Sequence, residues 1–359
     1  MKFVSQFSFG NHQIGEGHPP FIIAEISANH GQNLDKALNI VHAAATAGAD
    51  AIKMQTYTAD TLTLKSDKED FRVGAGTLWE GRTLHDLYSE AYTPWEWHQP
   101  IKELAESLGM EFFSTPFDAT AVDYLENLGV AAYKIASFEI VDIGLIERVA
   151  KTGKPLIIST GMTSREEIQE ALNAVARANN NQVALLKCTS GYPAKEDEMN
   201  LRTIPALRDI FQVPVGLSDH TLTTAIPAAA VALGACVIEK HLTLSRAEGG
   251  PDGAFSLEPH EFTEMVSAVR KTYSALGTVS HDCGESESKS RAFRRSLYAV
   301  ENIRAGDPLT ERNVRSIRPG HGLHTRYLPQ LLKSFAAQDI ERGTALDWQY
   351  IRGGKPPSV

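Results

Sequence analysis

Short apolar runs bounded by turn residues recur along most of the chain, and longer stretches with apolar residues at three-to-four spacing lie between them. That alternation predicts βα units and a parallel sheet. Strands are expected at residues 21–26, 51–55, 111–114, 132–136, 156–159, 183–187, 215–217 and 236–240. Helices are expected at 34–47, 119–128, 143–152, 165–178, 223–233 and 261–276. Eight such units within residues 1–277 predict an α/β fold of the (β/α)₈, or TIM-barrel, type. A doubly wound sheet would carry fewer strands and a Gly-rich first turn, and no G-x-G-x-x-G follows the first strand. The interruption at 56–94 is too long for a plain βα loop and is expected to serve as a lid or substrate loop. Its aromatic residues Trp79, Tyr88 and Tyr92, followed by Trp95 and Trp97, are suited to walling a site as well as to packing on the barrel.

Residues 278–291 are polar and without periodicity, which predicts a linker. A small second domain is expected over 292–359, with strands at 296–300 and 314–317, a turn at 304–307, a Gly-rich segment at 319–322 and a final strand region at 345–351. So short a unit buries little core by itself.

Composition narrows the function. The 44 acidic and 35 basic residues leave a formal charge of −9 with no long run of either sign, which argues against a general nucleic-acid or anionic-membrane binder. No apolar stretch reaches about 18 residues, so no membrane span is expected. Three scattered cysteines fit neither a disulfide framework nor a zinc motif, and with no signal-like N-terminal segment they predict a reducing, cytoplasmic setting. Cys188 and Cys236 read as small apolar strand residues.

Barrel chemistry is carried at the C-terminal strand ends, and here nearly every end is polar. Glu25 ends the first strand; Lys53 and Gln55 the second; Lys134, Ser137 and Glu139 the fourth; Ser159 and Thr160 the fifth. Lys187 and the Tyr192 loop follow the sixth, Ser218 and His220 the seventh, and Glu239, Lys240 and His241 the eighth. Any one of these could be a hydrogen-bonded or ion-paired strand end. Together, two lysines and three serines aimed at one mouth predict an anionic ligand, a phosphorylated or dicarboxylate compound. His220 and His241, at neighbouring ends and near carboxylates such as Asp252, suit a divalent cation with open positions, although two histidines without a fixed spacing also fit a structural role.

The segments FIIAEISANHG, AGADAIKMQTY, YKIASFE, PLIISTGM, LLKCTSGYP, GLSDHT and IEKHLT occur in this order and closely resemble the sialic acid synthase family. GDPLTERNV and IRPGHGL resemble the antifreeze-like (SAF, β-clip) domain that ends those enzymes, and GTLWEGRTLHDLY with EAYTPWEW is most similar to the family's pseudaminic acid branch. The resemblance implies a synthase that joins phosphoenolpyruvate to an open-chain acetamido sugar. It implies that Lys53, Lys134, Ser137, Ser159 and Ser218 hold phosphoenolpyruvate, that His220 and His241 bind manganese or magnesium, and that Glu25 moves protons. Gln55, Glu139, Thr160, Tyr192 and Asp252 are implied on the substrate side. Arg318 is implied to reach the sugar across a homodimer in which each small domain caps the partner's barrel. Where the family tends to carry Asn-x-Tyr, this chain has Ser190-Gly191-Tyr192, which favours a diacetamido, 6-deoxy sugar over N-acetylmannosamine. Sister activities making legionaminic or N-acetylneuraminic acid, and a non-catalytic carbohydrate-binding or ice-binding protein, are the rival expectations.

Overall fold

Successive side chains of each barrel strand point alternately into the barrel and out toward the helices. The computed structural model describes residues 2–354. It begins with a hairpin of β1 (Gln6–Phe9) and β2 (His12–Gly15), which the sequence reading had not anticipated. Eight parallel strands follow: β3 (Phe21–Glu25), β4 (Ala51–Thr56), β5 (Glu111–Pro116), β6 (Tyr133–Ile135), β7 (Leu156–Ser159), β8 (Val183–Cys188), β9 (Val215–Asp219) and β10 (Val237–His241). They pair in chain order, and β10 closes onto β3, with His241 opposite Glu25. The expected (β/α)₈ barrel is the observed fold.

Outward-pointing strand residues such as Ile22, Ile52, Leu185, Leu217 and Ile238 form one core with the surrounding helices. Inward-pointing Phe21, Ile23, Ala51, Phe113, Ile157, Ala184, Leu186 and Val237 form a second core inside the barrel. The hairpin's Phe7, Phe9 and Ile14 join that inner core, and the Phe9 ring sits 4.9 Å from Phe21 and 5.0 Å from Phe113. The hairpin therefore plugs the N-terminal end of the barrel. A buried Phe ring of this kind is worth about 1.5–3 kcal/mol.

The helices start where local chemistry directs. Asn33 caps Leu34–Ala47, Asp118 caps Ala119–Leu128, and Ser164 with Glu167 forms a capping box on Arg165–Arg177. The long segment after β4 is not structureless. It contains helices Ala59–Leu62 and Leu84–Ala91, and between them Val73 and Arg82 pair across a narrow loop. Its base is tied to the barrel: the Trp95 indole donates to the Tyr57 carbonyl at 3.1 Å, and buried His98 meets Thr56 at 2.7 Å.

Two compact units are present, residues 1–277 and 278–359. In the second, β11 (Ser296–Ala299) and β12 (Val314–Ile317) pair antiparallel over a small core of Leu297, Ile303, Leu309, Val314, Leu331, Ile340 and Leu346. The polar segment read as a linker carries a short helix, Glu285–Ser290, whose first turn is acidic and last turn basic, matching the helix dipole. One expectation fails in this unit. The region 345–351 is not a strand: single bridges at Ala345 and Ile351 flank a 3₁₀ turn, Trp348–Tyr350, opened by the Asp347 side chain.

Candidate active site

The same alternation that builds two cores sorts the polar strand ends into two groups. Inward positions give Glu25, Lys53, Gln55, Lys134, Ser159, Cys188, Ser218, Glu239 and His241. Outward positions give Lys187, Asp219 and Lys240. Lys240 is buried against Asp219 at 2.5 Å and also donates to the Thr221 carbonyl, so it ties strand to loop. Lys187 is spent on the Cys188 carbonyl and the Thr189 hydroxyl.

The inward group floors a cavity of about 460 Å³ at the C-terminal mouth, a size suited to a small ligand. Eleven of the expected residues line it: Lys53, Gln55, Lys134, Ser137, Glu139, Ser159, Tyr192, Ser218, His220, His241 and Asp252. Glu25 lies just beneath, fully buried, with its carboxylate 2.6 Å from the Lys53 ammonium and accepting from Gln55 at 3.1 Å. Thr160 does not join them; its hydroxyl donates to the Leu186 carbonyl at 3.0 Å, which fixes the β7 end to β8. Arg318 belongs to the second unit and is exposed there.

One charged residue at the centre stands out in the sequence only as a strand end. Glu239 lies 3.3 Å from Lys134 and 3.9 Å from Lys53 and accepts from the Ser218 hydroxyl at 2.9 Å. Burial alone would raise its pKa, but Lys134, Lys53 and Ser218 outweigh that and hold it below the usual carboxylate range. Glu25 goes the other way, raised by burial against the pull of Lys53. Burial also lowers Lys134, whereas for Lys53 burial is outweighed by Glu239 and Glu25. Cys188 corrects a further expectation: it faces the cavity rather than an apolar core, and although burial opposes it, His220, Ser137 and Lys134 bring its thiol down to about 7. Cys236 is an inner-core residue, as read.

Local geometry sets the remaining groups. The Gly161 amide donates to Ser137 at 3.0 Å, and a Cβ at Gly161 would sit 2.8 Å from that hydroxyl and 2.3 Å from the Ser190 hydroxyl, so only glycine lets the two loops meet. Asp252 accepts from the Ala28 amide at 3.2 Å, and burial raises it to about 6. Burial likewise raises Glu139 to about 7. The Ser159 hydroxyl, one Glu139 oxygen and His241 Nδ1 are buried with no protein partner, as groups reserved for a ligand would be.

The His220 and His241 rings lie side by side, 5.3 Å between centroids. His220 Nδ1 is 3.0 Å from the Thr189 carbonyl, so Nδ1–H donates there and fixes the ring, and although burial opposes it, Cys188 raises the His220 pKa. Burial holds His241 well below its ordinary pKa, hence neutral. Asp252 lines the same cavity, so two imidazoles and a carboxylate, donor types that divalent cations take, face one space. Among the described residues, no group of three or more His, Cys, Asp or Glu is arranged to hold a metal ion by itself.

A sequence profile of the NeuB family matches residues 40–281, and one of the SAF domain matches residues 294–352. The chain belongs to the NeuB family. Among relatives, a pseudaminic acid synthase from Campylobacter jejuni is 48% identical over 326 residues, covering 91% of this chain and 95% of that protein. One from Helicobacter pylori is 43% identical, covering 91% and 96%. The crystal structure of an N-acetylneuraminic acid (sialic acid) synthetase from Leptospira borgpetersenii, in complex with citrate, matches with a TM-score of 0.71 at 33% identity, covering 80% of this chain and 96% of that one.

Proposed function

We propose that this member of the NeuB family condenses phosphoenolpyruvate with 2,4-diacetamido-2,4,6-trideoxy-L-altrose, giving pseudaminic acid and phosphate. The observation that carries the reading is the floor of Lys53, Lys134, Ser137, Ser159 and Ser218 beneath an open mouth, in a chain whose likeness to pseudaminic acid synthases spans nine-tenths of its length. The lower identity to an N-acetylneuraminic acid synthetase favours the diacetamido sugar.

Lys53 and Lys134 hold the phosphoryl and carboxylate oxygens, and the serines add hydroxyl donors. Carbon 3 of phosphoenolpyruvate bonds to the sugar's aldehyde carbon, and the aldehyde oxygen becomes a hydroxyl. Water adds to carbon 2, Glu25 carries one of its protons toward the new hydroxyl, and the bond from carbon 2 to the phosphate's bridging oxygen then breaks, leaving a carbon 2 ketone as the remaining proton leaves with the phosphate. Gln55, Glu139, Tyr192 and Asp252 orient the sugar.

His220 and His241 would hold manganese or magnesium. A divalent cation supplies Lewis-acid polarisation of the aldehyde. Charge balance supports it. The two floor lysines are already offset by Glu25 and Glu239, while phosphoenolpyruvate brings roughly three negative charges, up to two of them on the phosphoryl group. Burying that excess calls for further positive charge at the mouth.

The same reading includes a cytoplasmic enzyme and a homodimer in which the small domain, through Arg318, caps the partner's barrel. No helix of the described residues is long and apolar enough to cross a membrane.

The test is phosphate release from phosphoenolpyruvate with a panel of acetamido sugars, with and without chelator, using substrate labelled with heavy oxygen at the bridging position. Release should be fastest with the diacetamido trideoxy sugar, should stop reversibly on chelation, and should carry the label into phosphate. Label in the sugar product would refute carbon–oxygen cleavage; no release with any sugar would support a binding protein instead.

A further inference from the structure

The cavity is lopsided. Its floor is ionic, but one wall is apolar: Val73, Trp79, Leu84, Leu87 and Tyr88, from the long segment after β4, face it together with Phe117. Val73, Trp79, Leu84 and Tyr88 are half-buried, so apolar surface stays open to the cavity. A ligand of hydroxyls alone would gain little from such a wall.

The wall is built to keep its shape. Thr83 caps the helix carrying Leu84, accepting from the Asp86 amide at 3.1 Å. The Trp79 indole donates to the Pro251 carbonyl at 2.9 Å, and its ring lies 5.7 Å from Tyr192, so the segment is pinned to the loops that carry Asp252 and Tyr192. Reaction geometry then decides which end of the sugar meets it. The aldehyde carbon must reach phosphoenolpyruvate at the ionic floor, so carbons 4 to 6 project away from the floor. In the diacetamido trideoxy sugar those carbons carry an acetamide methyl and a terminal methyl, where N-acetylmannosamine carries hydroxyls.

Resting on the substrate reading above, we infer that this wall recognises the deoxy, 4-acetamido end of the sugar and that Leu84 and Trp79 are specificity-determining residues. A methyl-sized change in a hydrophobic pocket alters discrimination about 10–200-fold. Steady-state phosphate release by the wild type, Leu84→Ser, Leu84→Met and Trp79→Ala, each with the diacetamido trideoxy sugar and with N-acetylmannosamine, tests this. Leu84→Ser should lower kcat/KM for the deoxy sugar roughly 10–100-fold, mainly through KM, and leave N-acetylmannosamine within about threefold. Leu84→Met, which keeps apolar volume, should retain the wild-type ratio, and Trp79→Ala should shift it in the same direction as Leu84→Ser. An equal fall for both sugars, at an unchanged melting temperature or not, overturns the inference. A wild type that itself prefers N-acetylmannosamine overturns the substrate reading instead, and is seen before any variant is made.

Discussion

Lys53 and Lys134 are buried and answered by carboxylates before any substrate arrives, and Glu239 is the group that answers both. Removing one partner of a buried ionic cluster costs about 3–5 kcal/mol because a charge is left uncompensated. Glu239→Gln is therefore expected to lower the melting temperature of the barrel by several degrees. Added phosphate should restore more of it in the variant than it adds to wild type, since an anion there replaces the lost charge. Scanning calorimetry checks both, and a melting temperature unchanged by the substitution would remove Glu239 from the centre of the cluster. The candidate residues were largely legible because ionisable groups at apolar strand ends stand out. What the sequence left mixed was direction. Lys187 and Lys240 looked equivalent to their neighbours, yet one step along a strand reverses the face, and they hold loops, Lys240 through Asp219, rather than ligand. Thr160 was misplaced for a related reason: just past the strand end the alternation no longer fixes which way a side chain points, and its hydroxyl found a carbonyl.

At the level of elements, all eight barrel strands could be read because each is a short apolar run between turn residues. The hairpin of β1 and β2 was missed although a signal existed: Phe7 and Phe9 alternate with polar residues ahead of Gly10-Asn11, and Ile14 follows. Four-residue strands are too short for periodicity alone to find. The long segment after β4 was recognised by its length and aromatics, but its internal order, two helices joined through the Val73–Arg82 pairing, depends on caps and a backbone pairing that composition does not reveal. The region 345–351 misled because apolar residues there serve a small core from a turn rather than a strand.

For the whole molecule, the homodimer reading makes an inactive pair of variants informative. Arg318→Ala and His220→Ala proteins should each lose activity. If Arg318 serves the neighbouring chain's site, mixing them under subunit exchange should restore up to roughly half of the wild-type specific activity; if it serves its own chain, nothing should return. The plugged end of the barrel has a consequence in time rather than space. With Phe7, Phe9 and Ile14 sealing the bottom, traffic runs through the mouth, and the compound destined for the ionic floor has to enter before the one that lies above it. Phosphoenolpyruvate therefore loads first and the sugar second. The reduced, unreactive alcohol of the sugar should accordingly be an uncompetitive inhibitor against phosphoenolpyruvate and a competitive one against the sugar, and competition with phosphoenolpyruvate would mean that the queue does not exist.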